Sequence, residues 1–183
     1  PSQTAGPYLH IGCIPHKIGI NSSFSNDLNN LVLSNETKGS RIEIYGKIYD
    51  GNNETVKDAL VEIWQVDFNG HYKSRLNNNS KSDPNFNNWG RTTCDLETGL
   101  WKFHTIKPGM IKLATRKILA PHIWFWVVAR GINIGLFTCM YFCDEKKLNI
   151  LDCNLKKISK STNIKSLIAV SYTHLRAHET DRY

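Results

Sequence analysis

Short apolar runs with a two-residue period dominate the chain, and no long helical stripe interrupts them. The most apolar run lies between His122 and Val128, where every residue after His122 is hydrophobic and most are β-branched or aromatic. Pro121 precedes it and Gly131 follows, so the run has strand length and reads as a buried strand. Side chains alternate between the faces of a strand. Ile123, Phe125 and Val127 therefore share one face, and His122, Trp124, Trp126 and Val128 the other.

Weaker alternations flank this strand. Ile42, Ile44 and Ile48 fall on one face of a run that begins at Arg41. After a loop opened by Asp50-Gly51, Ala59 to Val66 returns as a second strand, and the pair reads as a hairpin. Asn69-Gly70 makes the next turn. His71 to Gly90 is an Asn-rich excursion that carries Asp83-Pro84-Asn85-Phe86. Arg91 to Cys94 and Leu100 to Ile106 form another predicted hairpin about Glu97-Thr98-Gly99. Met110 to Leu119 reads as a loop, and Leu136 to Phe142 as the partner of the central strand. Helical turns are predicted within Asn21–Asn35 and Asp144–Asn154. Many short strands joined by Gly-containing turns predict an antiparallel β-sandwich. Pro1 to Tyr8, rich in Pro, Gly and small residues, predicts an irregular arm laid over another surface.

Composition narrows the function. A chain of 183 residues suits one domain. The 23 Lys and Arg exceed the 16 Asp and Glu by 7, but apart from Lys156, Lys157 and Lys160 they are scattered. That pattern is a solvated surface, not a nucleic-acid footprint. The longest apolar run is far short of the ~20 residues of a membrane span. Five cysteines at Cys13, Cys94, Cys139, Cys143 and Cys153 lack zinc-type spacing and read as reduced thiols of a cytoplasmic protein. Cys139 and Cys143 would share a face of one strand, which leaves a metal or disulfide role open. No secretory signal is read at the start, and an opening Pro1 predicts a natural start further upstream. Val170 to Thr180 reads as the in-frame translation of a sequencing-library adaptor, which removes His174 and His178 from consideration.

Several stretches together carry a resemblance. They are the arm Pro-Ser-Gln-Thr-Ala-Gly-Pro-Tyr-x-His-Ile-Gly from Pro1, Tyr49-Asp50-Gly51, Val61-Glu62-Ile63-Trp64-Gln65, and Asp83-Pro84-Asn85-Phe86. Gly90-Arg91-Thr92, Thr105-Ile106-Lys107-Pro108-Gly109, Ala120-Pro121-His122-Ile123, Ala129-Arg130-Gly131-Ile132-Asn133-Ile134 and Tyr141-Phe142 complete the set. On these residues the chain resembles the intradiol ring-cleavage dioxygenases, and within them the α chains of the protocatechuate-cleaving branch.

The resemblance implies a β-sandwich of the intradiol type with an N-terminal arm (residues 1–14) and a sandwich domain (15–169), and the adaptor reading sets apart a non-native tail (170–183). It implies an αβ oxidoreductase in which Fe(III), held by the β subunit through two Tyr and two His, supports insertion of O2 into protocatechuate. Hard ferric iron takes phenolate and imidazole ligands. Of the four ligand positions only His122 is matched; Trp124, Ile111 and Asn78 fill the others. The chain is therefore expected to hold no metal and no catalytic residue, with His122 a hydrogen-bonded core histidine. Thr4, Gly6 and Pro7 of the arm are expected to wall the β chain's pocket, and Arg130 to meet the substrate carboxylate. The simpler role for Arg130 is a structural ion pair at a strand end. Cys139 stands where α chains usually carry Arg, and the strands that follow in those chains are absent. A self-sufficient homomeric enzyme and a non-enzymatic binding module are the rival readings.

Overall fold

Two facing β layers hold the apolar runs in the computed structural model, which describes residues 5–6, 8–9, 20, 33–73, 81–158 and 161–171. The strands are β1 (Arg41–Lys47), β2 (Leu60–Trp64), β3 (Trp89–Thr93), β4 (Leu100–Ile106), β5 (Ile111–Lys112), β6 (Ile118–Leu119), β7 (His122–Val128), β8 (Leu136–Phe142) and β9 (Ile168–Ala169). Helices α1 (Lys146–Leu151) and α2 (Ser161–Ser166) flank a 3-10 turn at Leu155–Lys157. One layer is the antiparallel pair β1–β4; the other has the order β3-β2-β7-β8-β9. β5 and β6 make a small separate hairpin. The predicted central strand is the middle of the larger sheet.

Between the layers lies the core. Ile44, Phe103 and Ile106 from one side meet Val61, Ile63, Ile123 and Phe125 from the other, with Phe86 inserted from the long excursion. Each fully buried side chain of this kind contributes about 1.5–3 kcal/mol. The mainly β sandwich thus follows from the alternation, and it differs from the sequence-based picture in five respects.

First, the Asp50-Gly51 hairpin does not form. Asp50 Oδ1 accepts from Asn52 N at 2.9 Å and Glu54 N at 2.8 Å, and the loop closes on a single bridge, Tyr49 to Thr55. The chain then crosses layers. Side by side in one sheet, Ile44 and Ile63 would be neighbours; in opposite layers they bury each other. Second, the turn at Gly99 (φ +68) also crosses layers, so β3 pairs with β2 and β4 with β1. Third, the loop Met110–Leu119 is ordered as β5–β6 about Arg116, whose φ is +60. Fourth, β9 pairs with β8 in parallel, so the sheet is mixed. Fifth, the outer face of β7 is open: Trp124 is 38% exposed, and its cross-strand partner Trp64 50%.

The excursion is anchored by buried polar side chains. Asp67 is fully buried and accepts from Asn69 N and His71 N at 2.9 Å through Oδ1, and from Asp83 N at 2.8 Å through Oδ2. Gln65 Nε2 donates to Ile106 O at 2.9 Å, while its Oε1 accepts from Thr105 Oγ1 at 2.9 Å. Asn88 Nδ2 donates to Gln65 O at 2.9 Å. Gly109 fits because a Cβ there would stand 2.3 Å from Phe68 O. Trp-Gln-x-Asp, Asp-Pro-Asn-Phe and Lys-Pro-Gly are therefore framework.

Asp83 accepts from Lys38 N at 2.8 Å and Asn85 N at 2.9 Å. The Lys38 amide above all holds its carboxyl below the usual range, and the Asn85 amide adds to this against partial desolvation. A depressed carboxylate stabilises the fold above its unfolded pKa of ~3.9 and loses that contribution as the pH falls through its folded value. Asp83→Asn should accordingly lower stability at pH 7 and flatten the acid limb of a stability-versus-pH curve below pH ~4. Urea unfolding at several pH values reads this, and an unchanged acid limb would contradict it.

Candidate functional site

Two places carry the residues singled out from the sequence, and they lie at opposite ends of β7. At its start His122, Cys139, Tyr141 and Asp152 come together. His122 is 2% exposed and stands opposite Tyr141 in the β7–β8 register. Its Nδ1 lies 2.7 Å from Ala120 O, so Nδ1 carries the proton and Nε2 the lone pair. Burial pushes the imidazole below its ordinary pKa, against the Ala120 contact, and the ring is neutral at pH 7. Trp124 packs edge-on against it, with ring centroids 5.6 Å apart.

The neighbours are all in neutral or committed states. Burial pushes the Cys139 thiol up to about 12, and the Tyr141 hydroxyl bonded to it is raised also, chiefly by desolvation. Asp152 is fully buried, and its oxygens accept from the amides of Ala120 (2.7 Å), Asn154 (2.7 Å) and Leu155 (2.8 Å). It braces the start of β7 against the 3-10 turn, leaving a carboxylate wholly engaged with backbone. The Asx signal Asp152-Cys153-Asn154 could have revealed that role from sequence.

This donor set does not fit ferric iron. His122 keeps the tautomer of a metal ligand, but indole Trp124 offers no lone pair, and Ile111 sits on the β5–β6 hairpin as an apolar side chain. Asn78 lies outside the described residues. Among the described residues no group of three or more His, Cys, Asp or Glu could hold a metal. Among the described residues Cys94, Cys139, Cys143 and Cys153 form no disulfide. Buried and with its thiol pushed up, Cys139 should resist alkylation in the native chain, while half-buried Cys143 reacts. Peptide mapping after timed maleimide labelling checks this; equal rates would contradict it.

Beyond the far end of β7 the chain turns through Arg130, Gly131 and Ile132. Arg130 is 69% exposed and its Nε lies 3.2 Å from Asp58 Oδ2. Eight residue steps, most of them along β7 at about 3.3 Å each, separate it from His122. Of the arm, Gly6 is exposed and its carbonyl accepts from Leu9 N at 3.3 Å. Thr4 and Pro7 lie outside the described residues.

Across the outer face of the larger sheet run two rows that sequence reading did not assemble. Trp89, Trp64, Trp124 and Cys139 align strand by strand, as do Arg91, Glu62, Trp126 and Phe137. Arg91 Nε donates to Glu62 Oε1 at 2.6 Å, and its guanidinium stands 5.2 Å from the Trp89 ring. Phe137 is 75% exposed. Residues on neighbouring strands meet only through register, which the linear pattern does not display.

The chain matches the Dioxygenase family over residues 18–179. It is 39% identical over 169 residues to the protocatechuate 3,4-dioxygenase alpha chain of Pseudomonas putida, covering 92% of this chain and 82% of that one. It is 34% identical over 116 residues to the protocatechuate 3,4-dioxygenase beta chain of Burkholderia cepacia, covering 62% of this chain and 49% of that one. In fold it is similar to catechol 1,2-dioxygenase from Acinetobacter sp. ADP1, with a TM-score of 0.59, 19% identity, and coverage of 76% of this chain and 46% of that one.

Proposed function

This chain belongs to the intradiol dioxygenase family, and from that premise we propose that it is the non-catalytic α subunit of an αβ protocatechuate-cleaving enzyme. The observation that carries the reading is the donor set at the start of β7, where one histidine remains and a tryptophan fills the next position on its face. Fe(III), which the family uses, would then reside in the β subunit. The reaction converts protocatechuate and O2 to 3-carboxy-cis,cis-muconate, with both oxygen atoms retained in the product. Its substrates pass through a pocket that the α arm, including Thr4, Gly6 and Pro7, helps to wall.

Two features support partnership with a β chain. Trp64, Trp124 and Phe137 leave an aromatic face open, larger than scattered surface residues require. Arg130 spends Nε on Asp58, and among the described residues no ion pair engages the two terminal nitrogens of its fork, which suit a planar carboxylate. The same single-histidine set disfavours a self-sufficient homomeric enzyme.

Arg130→Ala in the assembled enzyme tests the pocket role. At a partly wet subunit boundary the contact is worth about 1–2 kcal/mol, so KM for protocatechuate should rise roughly 5- to 30-fold. Iron content should not change, and kcat should stay nearly constant if the contact is equal in ground and transition states. Catechol lacks the carboxylate and its kcat/KM should barely move. Equal losses on both substrates would assign Arg130 to the αβ interface instead.

A further inference from the structure

Lys156, one of the lysines that stood together in the sequence and that the α-subunit reading leaves without a role, borders a cavity. Between α1, the 3-10 turn, α2 and β9 lies an open cleft of about 530 Å³, a size that suits a small ligand. Its walls are aliphatic: Leu155 is buried at the base, with Ile164 and Ile168 on one side and Ile150 on the other. Ile150 is 71% exposed, which is costly for an aliphatic side chain beside a hydrophobic cleft.

Charge at the rim has one sign. Lys146 and Lys156 line the cleft, and neither makes an ion pair among the described residues. Among the described residues no carboxylate lines it. Of the carboxylates near it in sequence, Asp144 and Glu145 are held by Lys107 at 2.7 and 2.6 Å, and Asp152 is buried and taken up by three backbone amides. Lys147 and Lys157, both exposed, extend the positive field outward. Lysine stems often lie along apolar surface with the ammonium in water. Here two of them converge on one aliphatic hollow with no acid to neutralise them.

We infer that this cleft binds a single-chain aliphatic carboxylate, its hydrocarbon between Leu155, Ile164, Ile168 and Ile150 and its head at Lys146 and Lys156. Among the described residues no aromatic ring lines the cleft to stack on a planar catechol-type acid. An aliphatic chain needs only shape and dryness. The inference does not rest on the α-subunit reading: Leu155 backs onto the core cluster of Cys139 and Tyr141, but neither His122 nor Arg130 lines the cleft.

Decanoate below its micelle concentration is the probe, titrated into the full chain by calorimetry. Binding should tighten about threefold per methylene from octanoate to decanoate, and decanol should bind more weakly than decanoate. Lys146→Glu with Lys156→Glu, both at exposed positions, should weaken decanoate about tenfold and leave decanol unchanged. Circular dichroism confirms that the variant folds. Cys143 lines the same cleft and provides a local readout: decanoate should slow its alkylation and leave Cys153 unaffected. Absence of binding, an unchanged affinity in the charge-reversed variant, or unprotected Cys143 would each overturn the assignment. So would binding to phosphatidylglycerol vesicles but not to monomeric decanoate, since that is a membrane contact.

Discussion

Asp67→Ala should lose about 3–5 kcal/mol of stability, a large share of the ~5–15 kcal/mol that holds a typical domain. The carboxylate is wholly buried and accepts three backbone amides, from Asn69, His71 and Asp83. Hydrogen bonds to a charged group contribute ~1.5–3 kcal/mol each, and every buried amide left unpaired costs ~1–3. Water entering the hole recovers part of this, which sets the expectation below the simple sum. Asp67→Asn keeps one acceptor oxygen and should lose roughly half as much. Urea unfolding gives both values. A loss under ~1 kcal/mol for Asp67→Ala would mean that the excursion does not depend on this anchor.

Phe86→Ala should cost a similar ~3–5 kcal/mol, for an apolar reason. Phe86 is 1% exposed and inserts from the excursion into the core beside Val61, Ile63 and Phe103. Alanine leaves a cavity with the layers held apart by their own hydrogen bonds. Phe86→Leu, which refills most of the volume, should cost under ~1.5 kcal/mol. If leucine were as damaging as alanine, ring shape and not volume would govern the site. Together the two variants separate the polar and apolar halves of one anchor, since Asp83 binds Asp67 three residues before Phe86 reaches the core.

What the sequence makes legible follows from range. The alternation at Ile123 and Phe125, the turn at Asn69-Gly70 and the pairing of β7 with β8 are local, and each can be read from adjacent residues. The two hairpins that failed had correct turn chemistry at Asp50 and Gly99. Their flanking strands separated because Ile44 and Ile63 bury more surface across the sandwich than side by side, and no turn signal encodes that choice. Trp124 belongs to a run read as a buried strand because aromatic runs are usually covered; with Trp64 it lines an open face. Near His122 the missing ligands could be read position by position, and the local Asx turn of Asp152 was legible too, but its bond to the Ala120 amide was not, because it spans thirty-two residues. The ion pair of Arg130 with Asp58 joins two loops whose proximity depends on the β2–β7 register. The motifs Asp-Pro-Asn-Phe and Lys-Pro-Gly pointed to the family correctly, while their physical work is to fix the frame.

The central claim is that this chain contributes no iron ligand and depends on a β partner for chemistry. Iron per αβ pair in the purified, ferric-loaded enzyme, measured with wild-type chain and with His122→Ala, tests it most directly. The account predicts one iron per pair in both, with the tyrosinate-to-iron colour unchanged. Two irons per pair, or iron lost on replacing His122, would place a metal site in this chain and contradict it.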